Sequence, residues 1–456
     1  MCAGPAGGTL PRLHPEVPVY WLSKSIHKLS RFRRQVTIFA AVLGPGIITM
    51  VADNDAGGIS TYAVTGSKYG FSLLWIFILL VPIAYYIQEM TVRLGAVTKR
   101  GHAEAVFEGF GPFWGWFSII DLAVVNWLTL VTEYIGMTAA ASLFGVPPWI
   151  TFLGVTAILF AVVLTGRYWT FEKLTLAFCV FNLVYIPAAL WAMNTPGAPG
   201  WNKVAMGFVW PEIPGGFTAG LLFMILAIVG TTITPWQLFF QQSSVVDKGL
   251  DIHDVRFGKW DTLAGAIITC VVAVFIIITT AAAFHYHTPP LAIEDARQTA
   301  DALVPLLPHG QGRLAQQLFA IGLFDAGFLG ALCISLSSSW ALGEVMGWAH
   351  SLNRSVRDAP WFYLAYLGML LTSGAVVLIP GAPLVTITMY VQVVAVTLLP
   401  VCLVFLILLL NDEGFMGKYV NSRWQNLVNW SIVIVIIVAS TAFALSTLFP
   451  GLFPNS

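Results

Sequence analysis

Asp53 and Asp55 fall inside the run Asp53-Asn54-Asp55-Ala56-Gly57-Gly58, midway along an otherwise apolar segment. A charge at bilayer depth costs roughly 2.5–3.5 kcal/mol, and the small residues that follow favour unwinding, so the run predicts a broken helix. A second interruption lies at Gly230-Thr231-Thr232-Ile233-Thr234-Pro235-Trp236-Gln237, where Pro235 lacks a backbone donor and clashes with the carbonyl one turn earlier. Freed carbonyls at such depth are tolerated only where they are buried in protein or line a polar cavity. Asp55 as the charged group, with the Thr231 and Thr234 hydroxyls, the Gln237 amide and unwound carbonyls, makes an all-oxygen site that suits hard cations such as Mg²⁺, Ca²⁺ or Mn²⁺. A soft metal would prefer sulfur or imidazole. The nearest sulfur upstream of the second break is Met224, and no histidine lies between His102 and His253. With so few charged ligands the ion is expected to keep part of its water, and Gly58, having no side chain, leaves room for it.

The elements that must position these groups are membrane helices. Of 456 residues, 57% are hydrophobic and 10% charged, with a mean hydropathy of +0.80, which excludes a soluble globular class. The formal net charge of zero excludes a basic nucleic-acid-binding body. The five cysteines are scattered without a Cys-x-x-Cys pair, so neither a disulfide framework nor a zinc site is expected. The spans hold no paired acids, histidine cluster or nucleophile motif that would suggest an enzyme, and no cofactor follows from them. No repeated selectivity loop suggests a channel, and no obligate protein partner is evident.

At about 20 apolar residues per crossing, eleven spans are expected near 37–66, 70–95, 114–143, 147–166, 172–194, 216–243, 260–287, 314–349, 360–379, 384–410 and 428–449. A cytoplasmic N-terminal tail, 1–36, puts every Lys and Arg on the inner side except Lys68, Lys203, Arg297 and Arg313, as the positive-inside rule requires. The longest outer loop, about 288–313, is acidic, with Glu294, Asp295 and Asp301. Interrupted spans one and six, five apart, match two inverted five-helix repeats, 37–194 and 216–410, with a loop and eleventh helix over 411–456. The expected fold class is therefore all-α, a LeuT-like polytopic membrane protein with a midplane site between its broken helices.

Several stretches resemble the NRAMP family of divalent-metal transporters. Gly44-Pro45-Gly46 followed after eight residues by Asp55-Ala56-Gly57-Gly58 is similar to the family's first-helix motif, Gly-Pro-Gly…Asp-Pro-Gly-Asn. Met90 to Thr98, Glu133-Tyr134-Ile135-Gly136, Gln392 to Pro400 and Met416 to Asn421 resemble its second helix, third helix, tenth helix and the loop after the tenth. The resemblance places Asp55 on the family's metal-binding aspartate and implies that Gln392 is a ligand through water. It also shows departures. Gly58 replaces the asparagine ligand, and Thr234 stands where a thioether that favours transition metals is usual. That pattern resembles the prokaryotic NRAMP-related magnesium transporters, which implies Mg²⁺ uptake with some Mn²⁺ transport. The family's proton-relay positions fall on Trp236, Gln241 and Leu130, none of which titrates, so uncoupled carriage is expected. A divalent ion moving inward would gain about 4.6 kcal/mol per 100 mV of membrane potential.

Two alternatives stand beside this expectation: a proton-coupled Mn²⁺/Fe²⁺ carrier of the same family, and an amino-acid or organic-cation carrier on the same scaffold. Glu133 reads equally as a cavity-facing carboxylate and as a hydrogen-bonded acid between helices. Asp121 and Glu344 are expected to meet headgroups or inner-loop bases, and His285 with His287 to form a solvated interfacial pair. The loop Asp247 to Asp254 is expected to be a solvated connector, because it lacks the spacing of an EF-hand.

Overall fold

A computed structural model describes residues 39, 41–194, 197–213, 216, 218–287, 291, 293, 296–306 and 311–448; the expected tail, Glu294 and Asp295 lie outside them. All regular structure among the described residues is helical. Pro45 opens α1 (Pro45–Val51), where its missing N–H costs nothing, and Gly44 before it has a φ of 148° that a side chain would strain. The helix stops at Ala52, and α2 (Ala56–Tyr69) restarts with the Asp55 carboxylate as its cap.

There follow α3 (Trp75–Thr98), α4 (His102–Phe110), α5 (Pro112–Ser142) and α6 (Pro148–Val163). Next, α7 (Tyr168–Phe181) passes through a 3₁₀ turn into α8 (Tyr185–Met193), and α9 (Trp201–Val209) is a short connector. The second broken pair is α10 (Ala219–Thr232) and α11 (Pro235–Lys248). Then come α12 (Val255–Thr280) with a π-helical end, Ala281–His285, α13 (Ala296–Leu306) and α14 (Gln311–Met346). The chain closes with α15 (Pro360–Gly374), α16 (Leu384–Asn411), the single turn α17 (Glu413–Met416) and α18 (Arg423–Leu448).

Nine helical stretches among the described residues, the interrupted α10–α11 counted as one, are long and apolar enough to cross a membrane. The 16-residue α6 and the broken α1–α2 segment bring the crossings to the expected eleven, with boundaries shifted by a few residues. The first span packs against the seventh (α1 on α12) and the sixth against the second (α11 on α3). That exchange of partners is what a two-fold relation between spans one to five and six to ten demands. At the centre α5 lies along α14, and α10 along α16. Two stretches singled out in the sequence meet here: Arg93 of α3 donates to the Tyr419 carbonyl at 2.9 Å and to Asn421 Oδ1 at 2.6 Å.

Several ionisable groups expected at headgroups, beside inner-loop bases or in a solvated loop are instead held within the protein. Asp121 is buried, with Cys402 Sγ 3.5 Å from its Oδ2. Glu344 is buried and accepts from the Ser243 hydroxyl at 2.6 Å and from the Ala103 amide at 3.1 Å, so it satisfies unpaired donors at the start of α4. In the expected solvated loop, Asp247 is tied to Leu352 N at 2.9 Å, and Lys248 is enclosed. Lys248 Nζ donates to Glu172 Oε1 at 2.5 Å and to the carbonyls of Leu43 and Val42 at 3.0 and 3.1 Å. Asp261 completes this anchorage by accepting the amides of Gly46 and Gly44 at 2.6 and 3.1 Å. His287 is exposed, as expected, while His285 Nδ1 lies 3.2 Å from the Ser67 carbonyl.

Candidate functional site

The two helix breaks face one another, Thr231 standing over Gly58 and Thr234 meeting Asp53. In the first, Asp55 is extended, with φ −73° and ψ 178°, and its Oδ1 accepts the Gly58 amide at 2.6 Å. In the second, Ile233 and Thr234 are extended before Pro235 opens α11. Two helix C-termini, those of α1 and α10, therefore end in the gap and bring the negative ends of their dipoles to it.

Around the Gly57–Gly58 backbone several polar groups converge. A Cβ built on Gly58 would lie 2.6 Å from Thr231 Oγ1, 3.2 Å from the Asp53 carbonyl oxygen and 3.3 Å from Asp55 Oδ1. One built on Gly57 would collide with the Gln392 amide at 2.0 Å. These side chains have no solvent exposure at all. Yet Asp55 Oδ2, Asp53 Oδ2, Thr231 Oγ1 and both polar atoms of Gln392 have no protein hydrogen-bond partner. Buried polar atoms are rarely left so, and a cluster of them around carboxylate oxygens is chemistry suited to a cation.

Of the residues expected at the site, the structure thus brings together Asp55, Gly58, Thr231 and Gln392. Thr234 stands one step away, donating its hydroxyl to Asp53 Oδ1 at 3.3 Å. Gln237 does not join them with its oxygen, because Oε1 already accepts the Thr234 amide at 3.1 Å and the Gln88 amide at 3.2 Å. Its carbonyl satisfies a donor freed by the break, which is a holding task rather than a ligating one. Two acidic neighbours that the sequence does not single out as ligands stand beside these residues. Asp53 brings a second carboxylate and its carbonyl, and the signal was its place in the same run. Glu133 lies beside Asp55 and is fully buried, with Oε2 accepting the Ala56 amide at 3.0 Å, so it is a hydrogen-bonded acid between α5 and α2 at the edge of the site. Trp236 and Gln241 serve packing: Trp236 is buried against Phe240, and Gln241 donates to Thr262 Oγ1 at 2.8 Å.

Sulfur is near but outside this cluster. Met389 Sδ lies 3.9 Å from the hydroxyl of Thr61, one turn of α2 beyond Gly58. No group of three or more His, Cys, Asp and Glu side chains stands close enough to bind a metal by itself among the described residues. Any cation here needs hydroxyl, amide, carbonyl or water oxygens as well.

The family model for Nramp, natural resistance-associated macrophage protein-like, matches residues 46–446. The chain belongs to the Nramp family. The divalent metal cation transporter MntH 1 of Pseudomonas aeruginosa is 30% identical over 88% of this Nramp chain and 90% of its own length. The divalent metal cation transporter MntH of Klebsiella pneumoniae is 24% identical over 90% of this chain and 94% of its own. Among solved structures, the Eremococcus coleocola manganese transporter in complex with an aromatic bis-isothiourea substituted compound superposes with a TM-score of 0.76 at 21% identity, covering 92% of this chain and 90% of that one. MhsT in complex with L-phenylalanine superposes at 0.55 with 14% identity, covering 88% and 98%. Both agree with the all-α, LeuT-like fold of inverted repeats. The named relatives are carriers, in keeping with a non-enzymatic protein for which a metal is cargo and not cofactor.

Proposed function

We propose that this Nramp protein carries divalent cations across a membrane by alternating access, chiefly Mg²⁺ and to a lesser extent Mn²⁺, in partly hydrated form. The observation that carries the proposal is the enclosed cluster of unpartnered oxygens around Gly58, with sulfur and imidazole outside it. The relatives' names support divalent-metal carriage, and the hard-ion preference rests on donor chemistry alone. Asp55 supplies the charge, Thr231, Gln392 and the Asp53 carbonyl supply neutral oxygens, and Thr234 and Gln237 hold the second break in the shape that exposes them. Gly58 keeps the space in which retained water sits. The two five-helix units, 37–194 and 216–410, move against one another about this point, with the N-terminal tail on the cytoplasmic side of a cell membrane.

Purified protein in liposomes loaded with a Mg²⁺-sensitive dye tests this directly. Asp55→Ala abolishes uptake; uptake that survives the substitution unchanged removes the site assignment. One observation favours a second reading, proton-coupled Mn²⁺/Fe²⁺ transport. Glu133 beside Asp55 makes a carboxyl pair that could hand over a proton when a cation arrives. An internal pH dye separates the two, since acidification that tracks Mn²⁺ influx selects the coupled carrier.

A further inference from the structure

The second helix break is also held from α3, which lies outside the ligand cluster. Gln88 of α3 is fully buried and donates from Nε2 to Gln237 Oε1 at 3.2 Å. Its own Oε1 lies 3.4 Å from the Thr91 hydroxyl, which stands equally far from Gln241 Oε1, and Gln241 Nε2 donates to Thr262 of α12 at 2.8 Å. These side-chain amides and hydroxyls, none with any solvent exposure, run as one polar line through the contact between α3, α11 and α12. Buried amides in such surroundings are held to their partners, because an unmade bond there is not replaced by water.

The direction of each amide follows from one donor that cannot be reversed. The Thr234 backbone N–H, freed where α10 stops, meets Gln237 at 3.1 Å, so the atom it meets is the carbonyl oxygen. What Gln88 turns towards that oxygen is then its NH₂ group, and its oxygen is left for the Thr91 hydroxyl. With Oε1 engaged by two donors, Gln237 turns Nε2 the other way, where it stands beside the Asp53 carboxylate without closing a hydrogen bond. Asp53 in turn accepts the Thr234 hydroxyl on Oδ1 at 3.3 Å, and its carbonyl oxygen is one of the groups that ring Gly58.

We infer that Gln88 is a positioning residue for the cation, acting through Gln237; the inference rests on the proposed site around Asp55 and Gly58. A glutamine side chain loses much rotamer freedom when it is fixed, and its one bond to Thr234 leaves the amide able to swing towards the gap between the breaks. The second donor, from another span, removes that freedom. It keeps the Gln237 oxygen out of the cation's coordination shell and turns an N–H, not a lone pair, towards Asp53. Asp53 is thereby held with its carbonyl towards Gly58, and Thr234 keeps the extended backbone that ends the break. Removing the Gln88 donor leaves the geometry of the site to be fixed by the cation itself, which lowers affinity by about the contribution of one hydrogen bond, roughly tenfold.

The test is Mg²⁺ uptake by the full chain in liposomes, read as KM and Vmax for the wild type, Gln88→Met, Gln237→Met and the double variant. Methionine keeps the length of the side chain and loses the donor. Gln88→Met should raise KM about tenfold and leave Vmax within about twofold. In the Gln237→Met background the same change should alter KM by less than about twofold, because the residue through which it acts is gone. An unchanged KM in Gln88→Met, a fall in Vmax alone, or an effect that adds in full to that of Gln237→Met would each overturn the inference; the last two are what a residue that merely packs would give. Gln88→Asn, too short to reach Gln237 but still polar, should repeat both results and decides the matter if Gln88→Met fails to fold. Asp55→Ala beside the wild type keeps the underlying reading separate. Uptake absent from the wild type, or unaffected by Asp55→Ala, removes the site and this inference with it, whereas a failure confined to the Gln88 and Gln237 variants removes only the part given to Gln88.

Discussion

Substituting Lys248 by Met should release the first half-helix from the basic end of the bundle. All three Nζ protons are used, one on Glu172 and two on the carbonyls of Leu43 and Val42, immediately before α1. Methionine keeps most of the volume but removes every one of these bonds and leaves the Glu172 carboxyl, itself buried, facing nothing. Breaking a buried ion pair from one side costs about 3–5 kcal/mol. At about 1.4 kcal/mol per decade, that is a two- to three-and-a-half-decade rise in the open population of whatever the pair holds shut. Hydrogen exchange resolved by mass spectrometry is the suitable assay, because protection reports local opening segment by segment. Amides over 44–51 should lose about two or more decades of protection, while those in α5 and α14 keep theirs. The pair Lys248→Met with Glu172→Gln should recover most of the loss, since replacing both partners removes the stranded charge. Unchanged exchange over 44–51, or a loss spread evenly over the whole bundle, would refute the idea that this lysine fastens α1.

Three further outcomes follow from the site. Thr234→Met places a thioether beside the ion path and should shift competition between Mg²⁺ and Mn²⁺ towards Mn²⁺ by about tenfold, read as radiolabelled Mn²⁺ uptake against increasing Mg²⁺. Gly58→Ala puts a carbon 2.6 Å from Thr231 Oγ1, so the hydroxyl must turn away; Mg²⁺ affinity measured by calorimetry should fall by about tenfold while thermal stability changes little. Gly230→Ala meets the Gln392 backbone oxygen at 2.0 Å, where nothing flexible can yield, and should lower stability by about 1–3 kcal/mol through separation of α10 from α16.

The sequence disclosed the parts of this protein that depend on local chemistry. Gly44-Pro45-Gly46, the aspartate run and Pro235 announce the two breaks because in each a helix-breaking residue stands beside a cluster of polar or small ones, whereas Pro82 and Pro400 stand alone inside continuous helices, and long apolar runs count the spans. What escaped it depends on partners far apart in the chain. Lys248 and Glu172 are 76 positions apart, and in a list of inner-loop bases a lysine that closes an anchorage looks the same as one that meets headgroups. Glu344 and Asp121 were misplaced for the same reason: an acid near a span end gives no sign of whether a helix start or a thiol waits beside it. Within the site, Gln237 was legible as a polar residue just past the break. Which way its amide would turn was not, because that is decided by the unsatisfied Thr234 amide and by Gln88 from another span.

The full burial of Asp55, Thr231 and Gln392 sets a rule for traffic. Solvent does not reach these atoms, so under the proposed alternating access each crossing waits for helices to part on one side and close again before parting on the other. Collective motions of that kind take microseconds to milliseconds, which caps throughput near ~10³–10⁶ ions per second per molecule. On that proposal the protein is a turnstile, admitting one passenger per rotation, and a steep gradient can hurry the queue but cannot turn the gate into an open door.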